Sequence, residues 1–405
     1  MIVPIGHLLD VYNAERPWPE LVPAAVRVGS ERHELTEDEY RVWWLAHGVP
    51  ELLGHGPWTA DRMVSLADGF GFRDVGPTIE ALLARGLLAT VDERFAATYR
   101  LIPLGTGLGN DPDQDVRRFQ VGVGGAAVLS LHPLVWLALF SAPGEADLAS
   151  TCDALPEGSY DEVLGLVVDA LHPMLAAGVL ALDARRDDGE FVEVAQSSEA
   201  GDRVIYPVGQ AGGPVHALDG ALRSYHVRVG RRVHELDEVE YFCWQTAHAH
   251  SVVGEDTPFD RQVLIEQLQL VADRAGNRRL RKPEPAVDGL LRRGLLVPAD
   301  PSGGRDFATG YRLQSLHHGL GYQPGDYYQI GQVSHALATP LRPAPLSGGF
   351  DPLLVGLWQW GPMFGTLADA DRRLRERGPG GPLFSVLSRL ISPNQSAYLD
   401  VARSR

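Results

Sequence analysis

The chain has 405 residues and a formal net charge of −16, an acidic balance that repels nucleic acid and anionic membrane at long range and leaves room only for a local basic face. Its two cysteines, Cys152 and Cys243, lie far apart in sequence, which fits a reducing compartment with no disulfide framework. No stretch reaches the ~18 apolar residues of a membrane span, and the first residues show no basic region followed by an apolar run, so a cytoplasmic protein with no membrane partner is expected.

Residues 1–21 read as a lead-in, with Pro17 and Pro19 stopping any helix that Leu8–Tyr12 begins. Next comes the stretch that organises the chain. Val26 and Val28 alternate with polar neighbours, Gly29–Ser30 form a turn, and Glu34–Leu35 resume an extended run: two short strands. Thr36 and Glu39 have the spacing of a capping box. Tyr40, Trp43, Trp44 and His47 then follow at helical spacing. About two hundred positions later the same stretch is written again, without a gap. Arg27/Arg228, Gly29/Gly230, His33/His234, Glu34/Glu235, Tyr40/Tyr241, Trp43/Trp244 and His47/His248 are identical pairs. Asp237 and Glu240 make the second capping box.

After the first helix, Thr59–Gly69 and Val75–Arg85 read as helices two and three, the latter closed by Gly86. Leu87-Leu88, a polar turn and Thr98–Ile102 read as a hairpin, or wing. Leu290–Leu296 repeats Leu82–Leu88, and Tyr311-Arg-Leu313 repeats Tyr99-Arg-Leu101. A strand pair, three helices and a wing predict a winged helix-turn-helix. Weaker copies follow each clear one, each with a strand pair and a Pro-started helix bearing tryptophan, at Pro133–Trp136 and Pro352–Trp358. The expected fold is therefore mainly α with small β-hairpins: tandem winged-helix repeats at 22–110, 115–195, 222–322 and 326–405, two duplicated halves of two repeats each. The Gly-, Ser- and acid-rich stretch around 196–221 has linker chemistry.

The clear repeats resemble the PqqD-like peptide-recognition domains. The matching residues are His33-Glu-Leu-Thr36, Trp43 and Leu82–Leu88, with His234-Glu-Leu-Asp237, Trp244 and Leu290–Leu296 in the copy. The likeness covers about 60 residues of each clear repeat, under half of the chain. It implies binding of a leader peptide of a ribosomally made, modified natural product, by addition of a strand to an exposed hairpin edge. The Tyr-Arg-Leu strands resemble instead the DNA-binding branch of winged helices.

No motif names an active site. Gly105–Gly109 and Gly122–Gly125 lack the strand–loop–helix context of a phosphate cradle and read as loops. The repeated histidines, with His250, His317 and His318, lack the spacing of a metal site and read as structural. No cofactor or catalytic residue is expected. One positive cluster stands out: Arg274, Arg278, Arg279, Arg281 and Lys282 between helices two and three of the third repeat, with Arg292 and Arg293 just beyond. On a winged helix they would meet DNA phosphates or guanine edges. Trp44 is a candidate partner contact, because its counterpart is Gln245 and the fold therefore does not require an aromatic there. The expected function is a non-enzymatic scaffold for a peptide or protein partner, the alternative a DNA-binding regulator using the arginine-rich region.

Overall fold

A computed structural model describes residues 1–10, 23–69, 71–113, 115–123, 125–186, 189–192, 203–249, 259–300, 305–323, 327–334, 339–345, 351–378, 380–391 and 396–403. The chain divides into two compact bodies, each assembled from separate stretches. The first holds Met1–Thr106, Arg117–Asp187 and His317–Pro345; the second holds Gly107–Val116, Asp188–Leu316 and Leu346–Arg405.

In the first body, strand β1 (Ile2–Pro4) is followed by β2 (His7–Asp10), β3 (Ala24–Val28) and β4 (Glu31–Leu35). The last three form one antiparallel sheet in the order β2-β3-β4. Gly29, at φ 55°, makes the left-handed turn between β3 and β4. Helix α1 (Glu37–Leu45) starts at Thr36, and its capping box is formed in full. Helices α2 (Ala60–Gly69) and α3 (Val75–Ala84) follow. Trp43, Trp44, Trp58, Ile79 and Leu82 bury one common core, and Trp43 Nε1 donates to the Ile5 carbonyl at 3.0 Å.

The next elements depart from a winged helix. β5 (Leu88–Thr90) pairs with β1, and β6 (Tyr99–Pro103) pairs with β10 (Leu180–Ala184). A short helix, α4 (Phe95–Thr98), stands where the wing turn was expected. The two strands of the supposed wing thus belong to different sheets. A wing keeps one face in solvent, whereas Leu88, Ala89, Leu101 and Pro103 are buried, and each strand meets an apolar strand from elsewhere in the sequence. Residues 1–10, read from sequence as a lead-in, are part of this core: Val3, Ile5, Leu8 and Leu9 are fully buried. The rest of the body adds the hairpin of β8 (Asp115–Val123) with β9 (Ala126–Leu131), then α5 (Pro133–Ser141), α6 (Leu148–Asp153) and α7 (Tyr160–Ala176).

The second body repeats the plan. β11 (Val204–Pro207) pairs with β15 (Leu296–Ala299), and β12 (Gln210–His216), β13 (Leu222–Val229) and β14 (Arg232–Leu236) form the three-stranded sheet. Helices α8 (Glu238–Thr246), α9 (Arg261–Ala275) and α10 (Glu284–Arg292) follow. After α11 (Arg305–Gly310), β16 (Tyr311–Ser315) pairs with β20 (Ala397–Val401) and not with β15. Helices α12 (Pro352–Trp360), α13 (Leu367–Arg375) and α14 (Leu383–Leu390) complete it. Of the stretch with linker chemistry, residues 196–202 lie outside the described residues, while 204–207 and 210–216 are strands. The described residues hold twenty strands in eight sheets of two or three strands, so the expectation of a mainly α chain of tandem winged-helix repeats is overturned.

Each body also takes in a hairpin segment from the other half of the sequence. In the first, β17 (His318–Gln323), β18 (Tyr327–Ser334) and β19 (Thr339–Pro345) form a sheet, and Leu320 enters the core of Trp43 and Trp44. Tyr328 donates to the Leu9 carbonyl, and His7 Nε2 donates to the His317 carbonyl at 2.7 Å. In the second, residues 107–111 of β7 (Thr106–Asp111) lie on β12. Asn110 Nδ2 donates to the His216 carbonyl at 3.0 Å and its Oδ1 accepts from the His216 amide at 2.7 Å. A Cβ on Gly107 would come within 2.7 Å of the Gly212 backbone, so glycine is what lets these strands approach. The string Gly105–Gly109, expected as a loop, thus runs into a strand packed through its glycines.

Candidate binding edges and the arginine-rich turn

The three-stranded sheets leave β4 and β14 as edge strands among the described residues. The same device flanks both. Arg85, just past α3, donates to the Glu34 carbonyl at 2.9 Å and to Glu39 Oε1 at 2.6 Å. Arg293, just past α10, donates to the Glu235 carbonyl at 3.5 Å and to Glu240 Oε1 at 2.6 Å. The capping-box glutamate therefore links helix start, edge strand and third helix. Burial works against the charge of Glu39, but the Thr36 amide and the Arg85 guanidinium outweigh it and hold its carboxyl below the usual range. Because Glu34 and Glu235 offer their carbonyls to these arginines, their backbones point away from β3 and β13. Pointing direction alternates along a strand, so Arg32 and Val233 also present their amides and carbonyls outward.

The arginines named from sequence are only partly brought together. Arg292 and Arg293 end α10 beside the β14 edge. Arg274 lies in the last turn of α9, and Arg278–Arg281 form a 3-10 turn before α10. Arg279 pairs with Glu238 at 3.1 Å, and Arg281 lies 3.8 Å from Asp273. Arg274, Arg278, Lys282 and Arg292 are exposed and make no ion pair among the described residues.

Trp44 does not reach a surface. It is 3 % exposed, packs against His47 and lies 6.1 Å, ring to ring, from His318 of the first body. Its difference from Gln245 reflects core packing, and the expectation of a partner contact there is corrected. His47 and His248 are buried residues just past α1 and α8 whose Nδ1 lies near the terminal carbonyls of those helices, at 3.2 Å from Trp44 O and 3.1 Å from Trp244 O. Burial lowers His248 to about 4, although both carbonyl contacts oppose the shift. Cys243 is buried and pushed up to about 12 by burial, then by Asp237 and Glu240, so it is an inert thiol. Among the described residues no group of three or more His, Cys, Asp or Glu is placed to hold a metal ion. His250 lies outside the described residues.

Sequence reasoning missed two carboxylates. Asp183 accepts from the Gly29 amide at 2.6 Å and pairs with Arg100 at 2.9 Å. Asp400 accepts from the Gly230 amide at 2.6 Å and pairs with Arg228 at 3.2 Å and Arg312 at 3.7 Å. Burial would raise both carboxyls; the facing arginines and the glycine amides hold them below the ordinary value. The arginines of both Tyr-Arg-Leu strands are therefore spent on internal ion pairs, not turned outward to a nucleic acid. The signal was present as the repeated Leu-Asp ending of β10 and β20.

The chain matches no family model, no curated protein sequence and no solved structure. Among the described residues no helix is long and apolar enough to cross a membrane.

Proposed function

We propose that the chain is a non-enzymatic binding scaffold that takes an extended peptide or protein segment at the open edges of β4 and β14. The observation that carries this is the repetition of one edge device in both halves: a strand edge unpaired among the described residues, outward amides at Arg32/Glu34 and Val233/Glu235, and a helix-end arginine on the edge carbonyl. Main-chain hydrogen bonds to such an edge give affinity, and flanking side chains give selectivity. The resemblance to PqqD-like domains points to a leader peptide of a modified natural product as the partner. The test is selection of a random peptide library on the full chain, followed by amide hydrogen exchange with the selected peptide. Protection is expected at residues 31–35 and 232–236. Proline at Arg32 or Val233 removes an outward amide without costing a ladder bond, so Arg32→Pro and Val233→Pro are expected to abolish protection at their own edge while the fold persists. No selected peptide, or protection confined to other strands, would overturn the proposal.

A DNA-binding regulator is the alternative, favoured by the exposed Arg274, Arg278, Lys282 and Arg292, which make no ion pair among the described residues. A mobility-shift titration of the full chain against genomic fragments decides it. Binding through these four cations would weaken with salt at a log–log slope of about −0.9 per phosphate contacted. Absence of any shift at low salt removes the alternative.

A further inference from the structure

We infer, building on the edge docking proposed above, that the β14 edge takes an acidic extended segment and that the β4 edge does not. The two edges share their frame and differ in charge. Glu34 and Arg85 on one match Glu235 and Arg293 on the other. Where β4 has Glu31, β14 has Arg232; where α3 ends on Ala84, α10 ends on Arg292. At β4 the cations are already matched: Arg32 pairs with Asp10 at 2.9 Å and Arg85 with Glu39 at 2.6 Å, while the Glu31 carboxylate lies 3.7 Å from His33.

At β14 only Arg293 is matched, by Glu240. Arg232 and Arg292 are exposed without an ion pair among the described residues. Arg292 Nη2 and Glu240 Oε1 each lie 3.8 Å from where a Cβ on Gly289 would stand, so the second guanidinium sits beside the Arg293–Glu240 pair at the strand edge. Burial, then the charges of Arg293 and Arg232, lower the imidazole of His234 in the middle of β14. Arg232 and His234 share one face of the strand and Glu235 lies on the other, since side chains alternate. A docked strand would run past Arg232 on that face, with Arg292 at the end of α10 beside the same edge. Acidic side chains at every second position satisfy both.

The test uses the full chain and three fluorescein-labelled peptides of about twelve residues, alternating Val with Glu, Ser or Lys. Fluorescence anisotropy is read at low and near-physiological salt. The Glu peptide is expected to bind about tenfold or more tighter than the Ser peptide, with the advantage shrinking as salt rises. Arg232→Glu with Arg292→Glu removes the advantage, Val233→Pro removes it too and leaves only what the β4 edge binds, Arg32→Pro with Val233→Pro removes binding of both peptides, and Glu31→Arg with Ala84→Arg installs a second acidic-peptide site at β4. Equal binding of Glu and Ser peptides, both lost in the double proline variant, would overturn the acidic preference and leave edge docking standing. Glu-peptide binding unchanged by the double proline variant, or no peptide bound, would overturn both. Displacement of the Glu peptide by a random-sequence DNA duplex, through the same two arginines, would assign the patch to nucleic acid instead.

Discussion

His7 and Gln210 occupy the same place in the two bodies: each faces the repeated arginine across the ladder, His7 opposite Arg27 and Gln210 opposite Arg228. Gln210 Oε1 accepts from Arg228 at 3.3 Å; His7 Nδ1 accepts from Arg27 at 3.3 Å. Burial, then the Arg27 charge, drives His7 down to about 3, with the His317 carbonyl opposing and the His317 ring adding a little. A histidine lowered in the folded state takes up protons more readily when unfolded, so its stabilising contribution is complete above about pH 6.5 and is lost as pH falls below that value. The Asp183 and Asp400 contributions are lost only below the ordinary carboxylate range, because their folded values are lowered too. His7→Gln, copying the second body, should therefore keep the fold and lessen the fall of the urea midpoint between pH 6.5 and 5, to which His172 and His248, both lowered to about 4 by burial, still contribute. The relief amounts to roughly 1.4 kcal/mol per pH unit for one histidine. Asp400→Asn tests the buried carboxylate. It deprives Arg228 and Arg312, each 1 % exposed, of the facing charge and should cost about 3–5 kcal/mol in urea unfolding at neutral pH. Asp183→Asn should cost less, since Arg100 keeps partial access to water.

The elements that sequence reading found are those specified by neighbours in the chain. Both capping boxes, the tight glycine turns and the helices through Trp43 and Trp244 are fixed by residues within a few positions of one another. The duplication was legible because Arg27, Gly29 and His47 recur with their spacing intact. The misplaced elements are short strands whose partners are remote. Leu88–Thr90 and Tyr99–Pro103 look like a hairpin because they are close in sequence, but Ile2–Pro4 and Leu180–Ala184 offer each an apolar ladder, and three- to five-residue strands carry no register that names a partner. Of the candidate site, the arginines were legible as composition. The open edge was not, because it is defined by what fails to pair with β4 and β14. Trp44 was misjudged for the same reason: what covers it, His318 and Leu320, lies in another part of the sequence. Trp44→Ala should cost about 3–5 kcal/mol of stability in chemical denaturation and leave peptide binding by β14 unchanged, the reverse of what a partner contact would show.

Across the whole chain, the two compact bodies do not coincide with the two halves of the sequence. Residues 317–345 belong to the first body and residues 107–116 to the second. A protease site inserted within 193–202 should therefore yield two fragments that co-elute in native gel filtration and separate only in denaturant. Independent elution of the halves without denaturant would show that these stretches contribute little to the bodies that contain them.

That exchange makes the duplication hard to reverse. Two tandem copies can ordinarily be pared back to one, or drift apart into separate genes, because each carries its own core. Here a gene shortened to its first half would encode β2 without the strand that brings Leu320 and Tyr328 to it, and one shortened to its second half would encode β12 without Asn110. Selection must keep both copies together even where one has lost its ligand. A β4 edge that binds nothing would then persist as the supplier of a scaffold on which the β14 edge remains free to specialise.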